Sequence, residues 1–195
     1  TNGFITFGAT LGSAYCCSGQ LFPNTGTPND YIALAHEDLL LTASGKIDYF
    51  TEGTAPFRKF VIRFTNVPVF GGGGTVVDGE IVLNETANTI EYHVGTAEFF
   101  AGNNMTMGIE NSTGSLYTVI NGRNSTSPVT VSNEGWLISP PAPVAISWTG
   151  QNIVSGAGTA SIAAVPSVSG YYVATVTNTA TGCSTSDSVQ ITFAV

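Results

Sequence analysis

Apolar residues fall at every second position through several short stretches of the chain. Phe60, Ile62 and Phe64 alternate with Lys59, Val61 and Arg63; Ile90, Tyr92 and Val94 alternate with Glu91, His93 and Gly95; Val189, Ile191, Phe193 and Val195 alternate with Ser188, Gln190, Thr192 and Ala194. Successive side chains of a strand point to opposite faces, so a period of two sets one face against a core. Each run predicts a half-buried β-strand. Between the runs stand Pro23-Asn24-Thr25-Gly26, Gly71 to Gly74, Asp78-Gly79, Asn103-Asn104 and Asn121-Gly122, residues that tolerate positive φ or hydrogen-bond their own backbone and so end strands. Short strands with regular turns predict an all-β chain built as a β-sandwich. The stretch 31–41 is apolar without a 3.6-residue period and runs on into Leu39-Leu40-Leu41, so it is read as strand.

Ser139-Pro140-Pro141-Ala142-Pro143 cannot sit inside a sheet ladder, because proline lacks the amide donor and favours extended polyproline geometry. It divides the chain into 1–138, a linker at 139–143, and a smaller β-unit at 144–195. In the tail, composition shifts to Ser, Thr, Ala and Val, with strands expected at about 145–149, 159–165, 171–178 and 188–195.

Only 9% of the 195 residues are charged, and 5 Lys plus Arg stand against 13 Asp plus Glu, a net charge of -8. That balance repels nucleic acid and anionic lipid, so neither is an expected partner. No stretch approaches the roughly 18 apolar residues of a membrane-spanning helix, and direct membrane insertion is not expected. The chain opens on Thr1-Asn2-Gly3-Phe4-Ile5-Thr6-Phe7-Gly8, which lacks the pattern of a signal peptide and reads as a strand, as in a mature product or an excised fragment. Cys16, Cys17 and Cys183 are odd in number, so at least one lacks an intrachain disulfide partner. A bridge among them, including a strained vicinal one, and free thiols are both open readings.

Candidate chemistry fails at named residues. His36-Glu37 starts like a zinc-protease HExxH, but Leu40 stands where the second histidine belongs. Neither His36 nor His93 accompanies a G-x-S-x-G serine elbow. Glu80, Glu85 and Glu91 lie on or beside consecutive predicted strands and two of them could face one another as glycosidase carboxyls; the favoured reading is that they solvate the outer face. Gly71 to Gly74 lacks the Lys-Ser/Thr of a phosphate loop. Cys/His spacing for zinc is absent. Asn29-Asp30 and Glu37-Asp38 are oxygen-rich without the spacing of a dedicated calcium loop; no cofactor is expected, and calcium stays open only as an interdomain site assembled from distant carboxylates. Aromatics on a β-surface stack on sugars, and Tyr15, Tyr31 and Trp136 are the leading ligand-contact candidates, with Tyr49, Phe99, Phe100 and Tyr117 behind them. Trp136 and Trp148 flank the linker, where core packing is the favoured reading.

Four pieces in order, Asn2 to Gly8, Asp30-Tyr31-Ile32-Ala33-Leu34-Ala35, Gly79 to Thr86 with Thr89-Ile90-Glu91-Tyr92-His93, and Met107-Gly108-Ile109-Glu110-Asn111, resemble the nidogen-like β-domains of bacterial surface proteins. Cys16-Cys17-Ser18-Gly19-Gln20 and Phe57 to Phe64 look like the versions in large cell-surface proteins of gliding, type IX-secreting bacteria. In the tail, Ile146-Ser147-Trp148, Gly170 to Asn178 and Thr181-Gly182-Cys183-Ser184 resemble an Ig-like or PKD-like repeat, though one shorter than usual. The resemblance implies a non-enzymatic, extracellular, cell-surface segment that acts as an adhesive or spacer module. Its expected partners are surface polysaccharide or other cell-surface and secretion-complex proteins. The alternative is a carbohydrate-binding module or lectin domain of a secreted hydrolase.

Overall fold

The computed structural model describes residues 2–8, 18–42 and 44–192. Every regular element among them is a β-strand, and the chain divides into two compact units, Thr1–Ser139 and Pro140–Val195.

In the first unit, β1 (Phe4–Thr6), β2 (Tyr31–His36), β7 (Thr106–Glu110) and β8 (Tyr117–Val119) form one antiparallel sheet in the order β1-β2-β7-β8. A larger sheet has the order β3-β4-β5-β6-β9, from β3 (Lys46–Glu52), β4 (Lys59–Pro68), β5 (Val76–Asn84), β6 (Thr89–Phe99) and β9 (Val129–Ile138). Ile32, Leu34 and Met107 of the smaller sheet share one core with Ile62, Phe64, Ile81, Tyr92, Val94 and Val131 of the larger. This is the sandwich that the alternation predicts. The buried Tyr92 phenol donates to the Gly108 carbonyl at 2.9 Å and so ties the sheets together across the core.

All six residues of β2 are buried. Ile32 and Leu34 face the sandwich core, whereas Tyr31 and Ala33 form a second small cluster with Phe22, against which Phe4 and Val119 pack. A strand covered on both faces reads as a continuous apolar run, which is why 31–36 shows no period. The cover is the loop before β2. Phe22 and Asn124 exchange two hydrogen bonds, Phe22 N to Asn124 Oδ1 at 2.8 Å and Asn124 Nδ2 to Phe22 O at 2.9 Å. Thr106 Oγ1 donates to Gln20 O at 2.7 Å.

Several expectations are corrected. Asp78-Gly79 is no turn; it lies within β5 at a register shift against β6. The predicted strand at 159–165 shrinks to β12 (Ala163–Ala164), which pairs with β11 (Ile153–Ser155). β14 (Ser184–Ile191) begins four residues before the predicted start at 188, and Val189 is 51% exposed, so the alternation there buries no face among the described residues. In the second unit β10 (Val144–Thr149), β13 (Gly170–Asn178) and β14 make a three-stranded sheet in the order β10-β13-β14. Its one buried apolar residue among those described is Tyr172, whose hydroxyl donates to Gln151 O at 2.6 Å.

Candidate binding surface

The inner face of the five-stranded sheet carries rows of side chains in register. One row runs Thr51, Phe60, Leu83, Ile90, Ile138 across the five strands, and the next runs Tyr49, Ile62, Ile81, Tyr92, Trp136. The smaller sheet has fewer strands, so the rows are not covered evenly. Ile62, Ile81 and Tyr92 are buried, but Tyr49 is 73% exposed and Trp136 38% exposed at the two flanks. Phe60 is also exposed, and its ring centroid lies 5.8 Å from that of Tyr49 at a 45° tilt. Phe57 stands exposed in the adjoining β3–β4 turn.

A shallow groove of about 290 Å³ opens beside Phe60, lined by Thr51, Arg58, Phe60, Leu83, Asn84 and Glu85. A second of about 370 Å³ lies at the same end of the sandwich and shares Leu83 and Asn84, with Phe7, Ile90, Ile109 and Glu110 among its walls. Both are apolar floors with a few polar groups at the rim, a chemistry that suits stacking and edge hydrogen bonds rather than bond breaking.

Electrostatics reinforce this. Arg58 grips Glu85 through Nη2 to Oε1 at 2.5 Å and Nε to Oε2 at 2.9 Å, and its backbone N–H adds a third bond to Oε2 at 3.0 Å. These donors hold the Glu85 carboxyl down at about 2. Glu80 pairs with Arg63 at 2.5 Å. Glu91 accepts from Asn84 Nδ2 at 2.8 Å, contacts His93 Nε2 at 2.8 Å and Lys59 Nζ at 3.6 Å, and its carboxyl is lowered, first by Asn84 and then by His93. A glycosidase acid needs a raised pKa. Glu85 and Glu91 are shifted the wrong way, and Glu80 is tied to a guanidinium.

Glu80, Glu91 and their partners lie on the outer face with Val61 and Val82, which pair with one another and are 4% exposed each although both lie outside the sandwich core. Lys59 and Arg63 flank Val61 on that face, and their aliphatic stems suit an apolar strip while the charged heads stay wet.

The residues singled out from sequence are scattered. Tyr31 is corrected from an exposed platform to a buried one: it is 1% exposed, and its ring sits 5.0 Å from Phe4, 5.3 Å from Phe22 and 5.5 Å from His36. Trp136 keeps an open surface and donates from Nε1 to Glu134 at 3.0 Å. Tyr15, Cys16 and Cys17 lie outside the described residues, and with them every disulfide pairing; Cys183 is exposed. Phe99 is buried, while Phe100 and Tyr117 are exposed. Trp148 lines an open groove of about 390 Å³ in the second unit and donates to Thr159 O at 2.9 Å. His36 ends a strand, not a helix, and burial lowers its imidazole to about 4. Glu37 is buried and accepts from Gly19 N at 3.1 Å and Asn103 Nδ2 at 3.2 Å. Among the described residues no group of three or more His, Cys, Asp or Glu side chains could hold a metal. The Tyr49–Phe60 pair was visible in sequence only as two aromatics in neighbouring runs; their contact depends on the β3–β4 register.

None of the curated proteins matches the chain, and none of the solved structures does. The sequence model of the NIDO-related family matches residues 1–150, which takes in both sheets of the sandwich and also β10, the first strand of the second unit. With well over half of its length matched, the chain belongs to the NIDO-related family.

Proposed function

We propose that this chain is a non-catalytic extracellular segment of a large bacterial cell-surface protein, of the kind made by gliding, type IX-secreting bacteria, and that it works as an adhesive or spacer module. Membership of the NIDO-related family supports an extracellular, non-catalytic role. The observation that carries the adhesive reading is the uncovered end of the five-stranded sheet, where Tyr49 and Phe60 stand as an exposed aromatic pair above a groove rimmed by Arg58 and Glu85. The partner is surface polysaccharide or another cell-surface or secretion-complex protein. The second unit is an Ig-like or PKD-like spacer in this reading. Each contact is weak, and repeated modules on one long chain gain strength through effective concentration.

A carbohydrate-binding module of a secreted hydrolase is the second reading, and the same aromatic pair favours it, because a sugar face stacks on tilted rings while Arg58 and Glu85 reach its hydroxyls. A glycan array followed by affinity electrophoresis through polysaccharide gels tests the surface itself. Retardation in at least one gel, weakened five-fold or more by Tyr49→Ala with Phe60→Ala, is the expected result. Equal mobility of wild type and double variant in every gel, with no captured surface protein lost on substitution, removes the platform from the account.

A further inference from the structure

The segment between Asn24 and Asn29 folds over the outer face of β7, and three of its backbone carbonyls, together with the Glu110 carboxylate, converge on the side-chain amide of Asn29. Glu110 is 5% exposed, and its Oε1 accepts from Asn24 N at 2.8 Å. Among the described residues no Lys or Arg pairs with it. Its other oxygen, Oε2, points at a position held by one atom of the Asn29 amide, 3.3 Å away. The same amide atom lies 2.9 Å from Asn24 O, 3.0 Å from Gly26 O and 3.1 Å from Pro28 O.

An amide NH₂ at that position brings two hydrogens to four oxygens. Gly26 O also accepts from Gln20 Nε2 at 3.1 Å, so of the other three oxygens one would go without a donor, and the buried carboxylate would keep no counter-charge. With the amide oxygen turned inward, five oxygens meet from four backbone or amide groups and one carboxylate. Oxygens bound to calcium at about 2.3–2.6 Å and set at 70–90° to one another stand about 3 Å apart. The four distances from the Asn29 amide atom to the other oxygens, 2.9–3.3 Å, match that shell. Gly114 closes the site from above: any Cβ there would run into Asn24 O and the Asn29 side chain.

We propose that Asn24 O, Gly26 O, Pro28 O, Asn29 Oδ1 and Glu110 Oε2 form a calcium site that pins the 24–29 loop to β7. Calcium takes 6–8 oxygens in loose geometry, so water completes the shell, while magnesium demands a tighter octahedron that carbonyls on a covering loop do not supply. A single formal charge sets the affinity in the range of extracellular modules, about 0.1–1 mM. This site does not depend on the aromatic platform or on the adhesive reading.

The test is calorimetric titration of the calcium-stripped 195-residue chain, with thermal melting in parallel. Wild type is expected to bind one calcium and to melt higher in its presence, with no comparable response to magnesium. Glu110→Gln should weaken binding ten-fold or more. Asn29→Asp separates the two amide orientations: with oxygen inward the new carboxylate tightens calcium binding, whereas with nitrogen inward it destabilises the fold and calcium does not restore it. The proposal is overturned by absence of calcium heat and of any melting shift up to about 10 mM, or by an Asn29→Asp chain that unfolds with calcium as readily as without. Should Glu110→Gln fail to fold, the Asn29→Asp result decides alone.

Discussion

His36 ends β2 with its ring 4.6 Å from Phe4, and its Nδ1 lies 3.3 Å from the Tyr31 hydroxyl. It is 4% exposed, and desolvation lowers its pKa from 6.5 to about 4. The folded chain therefore holds it neutral where the unfolded chain takes up a proton. Its contribution to stability is intact above about pH 6.5 and is lost as pH falls toward 4, up to about 3 kcal/mol. Glu37 and Glu110 act in the opposite sense, because burial raises both carboxyls; stability they lend is present below the ordinary carboxyl range and fades as pH rises. The difference between wild type and His36→Gln isolates the histidine. Urea unfolding at pH 7, 6, 5 and 4.5 should show wild type losing stability across that range and His36→Gln losing distinctly less; parallel curves would mean that His36 is not held neutral. The sequence favoured a structural or surface-exposed role for His36 without deciding between them, since burial from both faces of β2 is a property of the loop that folds back over it.

At the scale of elements, β5 meets β6 through a glycine. A Cβ on Gly79 would stand 2.6 Å from the His93 carbonyl oxygen and 3.2 Å from Val94 Cα, with Leu34 of the facing sheet in van der Waals range. Backbone on one side and core on the other leave no room to give way. Gly79→Ala is expected to cost about 1–3 kcal/mol, read as a lower denaturant midpoint with an unchanged slope, and a neutral substitution would show that the two strands part more easily than their register implies. The same glycine explains a misread turn: Asp-Gly is a turn signal, but here the glycine serves close approach within a strand. Alternation did expose β4 and β6 because each has one face on the core, as Ile62 with Phe64 and Tyr92 with Val94 show. It missed the burial of Val61 and Val82 on the outer face, where the Lys59–Glu91 and Arg63–Glu80 pairs are their neighbours. Of the alternation predicted around β14, Phe193 and Val195 lie outside the described residues, and Val189 meets no buried layer among those described. The candidate surface was less legible still, since Tyr49 and Phe60 come together only through pairing of β3 with β4.

For the whole molecule, the parts that resemble chemistry are occupied with structure. The carboxylates of β5 and β6 hold cations and amides, the histidines sit in an aromatic cluster or beside a glutamate, and the grooves are shallow floors at one end of a sandwich. A low charge density with net -8 leaves neutral polar groups to solvate the surface. Display outside the cell is the condition on which the adhesive role rests. It is tested most directly by labelling intact cells that make this protein with antibody raised against residues 1–139, alongside brief surface proteolysis. Labelling without permeabilisation, and loss of the epitope to protease while cytoplasmic markers survive, is the predicted result; an epitope that appears only after lysis would contradict it.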